Sequence, residues 1–384
     1  MDKRAIATFL IFITLLLASV AAIAYNKGYR PSFTKKGPVV EATGLLVAHS
    51  EPDGAQVFLN RELKTATNDT LNLPEGDYQV KIVKDGYIPW EKGLKIKNGV
   101  VTETQARLFP AAPDLRIMTS TGALSPTLSP DGTKLAYGVA SGSAEKQGVW
   151  VADLTDRPLL NQNQSLQITK TFSQASFTWS PDSKQIIASV NGISFLLDAD
   201  RPNPEPQNIT TTLEIILEAW GKEVKTRESQ RASNLKPALV KELEKMKILA
   251  FSPDETKILY SASISAALPP ILEKPLPGAS TQPEQREIKK DSIYVYDIKE
   301  DKNFLIAQIT QPLSWLSSSR HLVWVEEGSI SIIEYDGTNK ATVYSGPFEN
   351  SFVYPWPNGS KLIILTTYNR PAGVNSNLYS ISLQ

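Results

Sequence analysis

The sequence predicts a mainly β chain with a helix at its N-terminus and a helical insertion near its middle. Three observations support this prediction. An uncharged apolar run lies near the N-terminus, a stretch of alternating apolar residues with regular turns follows it, and one turn motif then recurs five times. At 384 residues the chain is long enough for two or three domains.

The composition excludes several classes of function. Lys+Arg and Asp+Glu both number 40, whereas nucleic-acid binders usually carry an excess of cations to neutralise phosphates. The absence of cysteine removes disulfides, thiolate zinc sites and cysteine nucleophiles. The two histidines, His49 and His321, lie in or beside strand-like runs, where a structural role is the simpler interpretation. We therefore expect no nucleic-acid partner, no metal and no cofactor.

Residues 1–24 predict an N-terminal membrane anchor. The uncharged run from Ala5 to Ala24 has roughly twenty residues, which as a helix would span about 30 Å, the hydrocarbon thickness of a bilayer. Ala22-Ile23-Ala24 has the form of a signal-peptide cleavage site, but signal h-regions are usually shorter, about 7–15 residues. We expect an uncleaved signal anchor, with a cleaved signal peptide as the alternative. Residues 25–41 are basic and contain Pro and Gly, which predicts a short flexible linker.

Residues 42–110 predict a small β-sandwich. Apolar residues alternate with polar ones, which places one face of each strand in a core and the other in water. The alternating residues are Val57 and Leu59; Leu71 and Leu73; Tyr78, Val80 and Ile82; and Leu94 and Ile96. The turns between them are Pro52-Asp53-Gly54, Pro74-Glu75-Gly76-Asp77, Lys84-Asp85-Gly86 and Asn98-Gly99. Short antiparallel strands with such turns form a small sandwich.

The same stretch resembles a known family. Glu51-Pro-Asp-Gly-Ala55, Leu73-Pro-Glu-Gly76-Asp-Tyr78 and Gly86-Tyr87-Ile-Pro-Trp90 resemble, in this order, the turn and strand motifs of the PEGA domain. The resemblance implies a surface-associated β-module without known catalysis. Tyr87 and Trp90 could form an exposed aromatic platform for sugar or could close the sandwich, and the structural role is the simpler interpretation.

One turn motif recurs between residues 111 and 384. Its clearest copy reads Leu128-Ser-Pro-Asp-Gly-Thr-Lys-Leu135, and the others begin at Trp179, Phe251, Trp315 and Trp356. Proline pre-sets φ, Asp can bond nearby amides and Gly tolerates positive φ, so the motif predicts a tight turn between two strands. The fourth copy lacks the Pro and the Asp, and the fifth has Asn for Asp.

This pattern resembles the TolB-type, WD-like propeller repeat. The resemblance implies a β-propeller, whose blades take roughly 40–45 residues each once insertions are discounted. We predict five blades, with six as the alternative. The segment Leu115–Ser120 could pair with the last strand, which would join the two ends of the ring and remove an exposed edge.

Two insertions interrupt the repeats. Residues 212–246 predict a helical hairpin, because apolar residues recur three and four apart: Leu213, Ile216, Leu217, Trp220 and Val224, and then Leu239, Leu243 and Met246. The hairpin could pack on the propeller, which is the simpler interpretation, or its first stripe could dock a partner. Residues 266–290 contain five prolines and predict an extended or disordered loop.

The sequence predicts no catalytic site. It contains neither a G-x-S-x-G elbow nor a phosphate-binding loop. A glycosidase needs two carboxyl groups about 5–10 Å apart, but the segments just before the five turns contain no Asp or Glu. Asp131, Asp182 and Asp254 occupy one equivalent turn position, which turn formation explains, and Glu326 and Glu327 are left as loop acids. Binding residues are not predicted.

We therefore expect a non-catalytic, membrane-anchored surface protein that recognises an envelope protein or a glycan. Basic residues flank the apolar run on both sides, so the positive-inside rule does not favour export. We still expect the bulk of the chain outside the cytoplasm, because the two families suggest it and long domains translocate largely regardless of charge. The alternatives are a glycan-active, glycosidase-like enzyme and a structural spacer of the envelope. The sequence predicts no oligomeric state.

Overall fold

The computed structural model describes residues 3–26, 29–34, 37–155, 165–233, 235–308, 312–349, 352–368 and 375–384. The described chain is mainly β, as predicted, and contains three helices. It divides into two compact units. The first contains Met1–Leu108 and Lys274–Pro283, and the second contains Phe109–Glu273 and Glu284–Gln384.

The helix expected at the N-terminus is present as α1, Lys3–Asn26. Most of its large apolar side chains that the structure describes are exposed, with Phe9 at 61% and Leu17 at 62%. Within the described residues, no helix combines the length and the apolar character that crossing a membrane requires. The helix is confirmed, whereas the transmembrane span expected over residues 1–24 is not supported.

The first unit contains two sheets. Its strands are β1 (Tyr29–Thr34), β2 (Gly37–Glu51), β3 (Gln56–Leu59), β4 (Glu62–Ala66), β5 (Asp69–Pro74), β6 (Gly76–Val83), β7 (Trp90–Ile96) and β8 (Val101–Arg107). In one sheet β2 pairs with β1, β5 and β8, and the other has the order β4-β3-β6-β7. The alternating apolar residues predicted from the sequence meet in one core, which includes Val57, Leu59, Val80, Ile82, Leu94 and Ile96.

One strand pair departs from the antiparallel sandwich that the turns suggested. β8 runs parallel to β2, from Val101 opposite Leu45 to Arg107 opposite Glu51. The chain enters β8 from β7, which belongs to the other sheet. The Asn98-Gly99 turn therefore joins two sheets rather than two neighbouring strands, and parallel pairs arise from such crossovers and not from hairpins.

The second unit consists of β-strands and one insertion of two helices. In chain order its elements are β9 (Leu115–Ile117), β10 (Leu124–Leu128), β11 (Lys134–Val139), β12 (Gly148–Asp153), β13 (Ser165–Thr169), β14 (Ser176–Trp179), β15 (Gln185–Val190), β16 (Ile193–Asp198), β17 (Gln207–Asn208), α2 (Leu213–Ser233), α3 (Pro237–Leu243), β18 (Lys247–Phe251), β19 (Lys257–Ser261), β20 (Ala266–Ala267), β21 (Glu287–Ile288), β22 (Ile293–Asp297), β23 (Lys302–Ala307), β24 (Leu313–Trp315), β25 (His321–Glu326), β26 (Ser329–Glu334), β27 (Ala341–Ser345), β28 (Val353–Pro355), β29 (Lys361–Thr366) and β30 (Asn377–Ser382).

These strands form five four-stranded antiparallel sheets and the small β20-β21 ladder in the described chain. The sheet orders are β10-β11-β12-β13, β14-β15-β16-β17, β18-β19-β22-β23, β24-β25-β26-β27 and β28-β29-β30-β9. The early strand β9 pairs with the last strand, with Leu115 opposite Ile381 and Ile117 opposite Tyr379. This is the pairing expected for the segment Leu115–Ser120.

All five copies of the turn motif have the same backbone, including the two that depart from the sequence pattern. In each turn the N–H of the fourth residue donates to the C=O of the first: Gly132 to Ser129, Ser183 to Ser180, Glu255 to Ser252, Ser319 to Leu316 and Gly359 to Trp356. The fourth residue is left-handed in every copy, with φ between 57° and 73°. Glycine adopts this conformation without cost, whereas an L side chain adopts it with strain.

Two turns have serine at this left-handed position, and the contacts of the serines show why the residue suits the site. The Asp131 N–H donates to Ser183 Oγ at 3.2 Å, and the Asp254 N–H donates to Ser319 Oγ at 3.0 Å. Both serines are buried, and each joins its own turn to the turn of the preceding sheet. A hydroxyl that satisfies a neighbouring backbone amide offsets the strain that glycine would avoid.

The flanks of the Pro-rich insertion are held by polar residues of the second unit. Asp301 Oδ2 accepts hydrogen bonds from the N–H groups of Ile271 and Leu272, at 2.6 and 2.7 Å. Asp301 also lies 3.3 Å from the Arg286 guanidinium. Burial raises the pKa of Asp301, but these hydrogen bonds outweigh it and the pKa is lowered. An ionised, buried carboxylate therefore joins the start of the insertion to its end.

Candidate interaction surface

The acidic turn residues are held by their own turns. Asp254 Oδ1 accepts from Ser252 Oγ at 2.7 Å and from the N–H and hydroxyl of Thr256, at 3.1 and 2.8 Å. Asp131 and Asp182 accept the equivalent serine bond, both at 2.6 Å. Burial raises the pKa of Asp254, but the hydrogen bonds outweigh it and lower the pKa from 3.8 to about 2. A glycosidase acid needs a raised pKa, so these residues are turn formers.

The other acids and the histidines do not form a reactive cluster. Glu326 Oε2 pairs with Lys340 Nζ at 2.8 Å, and the same ammonium lies 3.9 Å from the centroid of the Trp324 ring. His49 belongs to the first unit, whereas His321 is buried in the second against the edge of Phe109. Among the residues that the structure describes, no group of three His, Asp or Glu could hold a metal ion.

The aromatic platform considered for sugar is part of the first unit's core. Trp90 is only 4% exposed, and Tyr87 is half-buried against the same cluster. Ring faces must be open to stack on a sugar, so these two residues close the sandwich instead. The structural interpretation of Tyr87 and Trp90 is confirmed.

A second aromatic group lies in the last two sheets. Tyr368 is 43% exposed and meets Tyr379 edge-on, with 6.4 Å between ring centroids. Tyr344 and Phe348 form another edge-on pair, at 5.9 Å. The hydroxyls of Tyr379 and Tyr344 donate to backbone carbonyls, so packing and hydrogen bonding hold these rings. Within this group, the Tyr368 ring offers the largest open aromatic surface.

Helix α2 lies across the turns of two sheets. It has an acidic residue in its first turn, Glu214, and a basic one in its last turn, Arg231, which matches the helix dipole. Arg227 donates to the C=O of Pro181 in the second sheet's turn at 2.9 Å. Arg231 pairs with Glu255 in the third sheet's turn at 2.8 Å. The C-terminal half of the helix is therefore attached to the turn-bearing end of both sheets.

None of the 21 residues of α2 is buried. The predicted stripe is present, but Leu217 and Val224 remain 41% and 42% exposed, and Leu213, Ile216 and Trp220 are half-buried. Ile215, which lies outside the stripe, is 68% exposed. A surface helix normally buries its apolar face, so α2 is an unusual element of this unit.

The following helix, α3, is packed. Leu239, Leu243 and Met246 are buried in a core that also contains Ile258 and Tyr260 of β19. Pro237 begins the helix, as expected from the tolerance of proline in a first turn. The packing interpretation of the hairpin therefore holds for α3. Docking of a partner stays a prediction for α2, whose open apolar surface is the candidate interaction surface.

Sequence reasoning identified the α2 stripe but gave no sign of how far it would stay uncovered. The burial of a helix face depends on what the fold places against it, which local periodicity does not report. Ile215 was not singled out, because a single apolar residue off the stripe carries no periodic signal. The anchoring arginines were also missed among the many charged residues of the helix.

Comparison with known proteins supports the assignment of the first β-unit. The PEGA domain family matches residues 43–111. No curated protein has a significant match to the sequence. Among solved structures, TolB from Acinetobacter baumannii matches with a TM-score of 0.24 at 13% identity, over 79% of this chain and 59% of its own. A protein described as TolB from Agrobacterium tumefaciens matches with a TM-score of 0.23 at 13% identity, over 72% of this chain and 86% of its own.

The family match covers the turns from which the resemblance was drawn. The Gly54, Gly76 and Gly86 turns, the sheet that contains Val57 and Ile82, and the buried Trp90 all lie within residues 43–111. Residues 43–111 of this chain therefore match the PEGA domain family.

Proposed function

We propose that this chain is an exported, membrane-tethered, non-catalytic protein that binds another envelope protein through helix α2. The observation that carries the proposal is the open apolar surface of α2, where Leu217 and Val224 are exposed on one face of a helix that has no buried residue. Exposed apolar residues grouped on one element mark interaction sites in soluble proteins. Arg227 and Arg231 also join the helix to two turns, which orients the surface.

A protein partner fits α2 better than a glycan does. Aliphatic side chains contribute the apolar part of the surface, and charges of both signs surround them: Glu214, Glu218, Lys222 and Lys225. Amphipathic partner helices or grooves complement such a mixture of aliphatic and charged groups. A glycan would be better served by an open ring, and Trp90 in the PEGA domain is buried.

The five sheets support a propeller that presents α2 on one face. The first and second sheets share a core that includes Val149 and Phe177, and the third and fourth share one that includes Val295 and Trp315. The fifth and first share one that includes Ile363 and Leu135. Together with the β9–β30 pairing, these shared cores favour five blades in one ring over the six-bladed alternative.

Export and tethering rest on the N-terminal segment. The sequence from Ala5 to Ala24 carries no charge, and most of the large apolar side chains described in α1 are exposed. An uncharged, largely apolar N-terminal segment is typical of chains directed to the envelope. The PEGA domain and the absence of cysteine are compatible with an extracytoplasmic location.

Photo-crosslinking in living cells tests the proposal. A photoreactive amino acid at Leu217 or Val224 should give one discrete protein adduct, and the same group at Ile193, an exposed residue of β16, should not. The adduct should disappear when the purified chain is added in excess to permeabilised envelopes, but not when a chain carrying Leu217→Glu and Val224→Glu is added. Equal adducts from Ile193 and Leu217, or none from α2, would contradict binding through this helix.

A glycan ligand at Tyr368 is the second candidate, because this ring is 43% exposed beside Tyr379. Open rings stack on sugar C–H groups, and stacking alone would give binding without turnover. Retention of the chain on purified cell-wall glycan, lost with Tyr368→Ala and kept with Ile215→Glu, would favour this candidate. The glycan-active enzyme is less well supported, since Glu326 is paired and the turn acids have lowered pKa values. A protein that acts only as a structural spacer would bind neither an envelope protein through α2 nor a glycan through Tyr368.

A further inference from the structure

One edge of the PEGA-domain sheet carries backbone groups that point away from its neighbour. In the order β4-β3-β6-β7, strand β7 is an edge strand. Its N–H and C=O groups at alternate residues face away from β6, as in any edge strand, and such a row of groups is a template for pairing with another chain. Glu91, Gly93 and Lys95 share this parity along the strand, and the groups considered next are the Gly93 C=O and the Lys95 N–H.

A segment from far along the chain meets both residues. The Lys95 N–H donates to Thr281 Oγ at 3.2 Å. Gln282 Nε2 donates to the Gly93 C=O at 2.7 Å. Gln282 is buried, with 9% of its surface exposed, and the segment Lys274–Pro283 belongs to the first unit. The segment therefore bonds the β7 edge at two neighbouring positions, and the Gln282 side chain is the buried member of the contact.

The chemistry of the two side chains matches that of a strand. A neighbouring strand would offer the edge one acceptor and one donor, and Thr281 Oγ and Gln282 Nε2 offer these in turn. A true strand would then leave its own far edge open. Here Pro275, Pro277 and Pro283 lack the backbone N–H groups that such an edge would need. A further strand therefore cannot pair with this segment.

We propose that the Pro-rich segment Lys274–Pro283 is an edge cap for the PEGA domain, which satisfies β7 with side chains and blocks addition of a further strand. In the absence of the cap, the β7 edge accepts a strand from a second copy of the chain. The prolines prevent a further strand from pairing with the segment. Thr281 and Gln282 form hydrogen bonds with the outward-facing backbone groups of β7. This inference is independent of the proposed function of α2.

Amide hydrogen exchange on the full-length chain tests the cap. Thr281→Val removes the acceptor of the Lys95 N–H with little change of shape, and should speed exchange of that amide about five-fold, the value of one net hydrogen bond. Gln282→Ala should have a similar effect by releasing the segment. Gln167→Ala is the matched control, because Gln167 Nε2 also donates to a backbone carbonyl, that of Gln147 at 2.8 Å, but in the second unit.

Replacement of residues 274–283 by a Gly/Ser sequence of equal length extends the test. It should give the fastest Lys95 exchange and a sedimentation coefficient that rises with protein concentration, as β7 edges of two copies pair. Unchanged Lys95 exchange in Thr281→Val and in the replacement would overturn the proposal. Fast exchange without any self-association would overturn the part that concerns strand addition.

Discussion

Helices α2 and α3 belong to one insertion, yet α3 is packed into a core and α2 is exposed. α3 buries Leu239 and Leu243 against β19, whereas α2 buries no residue over 21 positions. α2 is held instead by two arginines at one end. Both helices have apolar residues at helical spacing, so the difference lies in what covers them. α3 therefore anchors the insertion in the core, and α2 leaves its apolar surface exposed.

The largest effect should come from the anchoring helix. Leu239→Ala leaves a cavity in a closed core and should lower the free energy of unfolding by about 2–5 kcal/mol. The matched substitution Leu217→Ala in α2 should change it by less than about 0.5 kcal/mol, as at other surface positions. Urea unfolding followed by circular dichroism measures both. Equal losses of unfolding free energy for Leu239→Ala and Leu217→Ala would contradict the assignment of α3 to the core and α2 to the surface.

Binding should show the reverse order. Val224→Glu places a charge on the exposed apolar surface of α2 and should reduce recovery of a partner cross-linked from Leu217 about ten-fold, which corresponds to roughly 1.4 kcal/mol. The unfolding midpoint should stay near that of the unaltered chain. If recovery is unchanged, α2 is not the docking surface.

The turns beneath α2 predict an acid sensitivity. Because the folded-state pKa of Asp254 lies below its ordinary 3.8, at about 2, the carboxylate stabilises the fold above pH 4 and this contribution is lost as the pH falls towards 2. Asp254→Asn should therefore lower stability at pH 7 and flatten its dependence on pH between 4 and 2. Asp85→Asn, in an exposed turn of the PEGA domain, is the control. An unchanged acid profile in Asp254→Asn would contradict the assignment.

The smallest effect should come from the tether of α2. The Arg231–Glu255 pair is about half-exposed on both sides, and such surface pairs stabilise by about 0–1 kcal/mol. Arg231→Ala should scarcely move the unfolding midpoint but should speed amide exchange in the last turns of α2. Lys245→Ala, which removes another ion pair of the same insertion, is the control. A large loss of stability with Arg231→Ala would mean that α2 contributes to the core.

Much of the fold could be predicted from local patterns. The alternation at Val57 and Leu59, the glycine turns and the recurrent Ser-Pro-Asp motif act within a few residues, and sequence spacing reports them directly. The two degenerate turns kept the same hydrogen bonds because their backbone is fixed by the strands on either side. The pairing of β9 with β30 could be expected because the last sheet lacked a strand.

The remaining features depend on contacts between distant residues. The parallel pair of β2 and β8 requires a crossover that a short turn sequence does not distinguish from a hairpin. The side-chain bonds of Thr281 and Gln282 to β7 join residues more than 180 positions apart. The exposure of α2 depends on what the fold leaves uncovered. No local sequence pattern therefore predicts either the edge cap of β7 or the exposure of the α2 surface.

Cysteine labelling in intact cells tests the central claim most directly, because the chain has no cysteine of its own. Leu217→Cys, Leu239→Cys and Ile193→Cys variants would be treated with a membrane-impermeant maleimide in cells and after purification. We predict that Ile193→Cys reacts equally in both, and that Leu239→Cys reacts only when unfolded. Leu217→Cys should react rapidly when purified but slowly in cells, where a partner covers α2. Equal rates for Leu217→Cys and Ile193→Cys in cells, or no labelling until the cells are lysed, would contradict an exported chain that binds through α2.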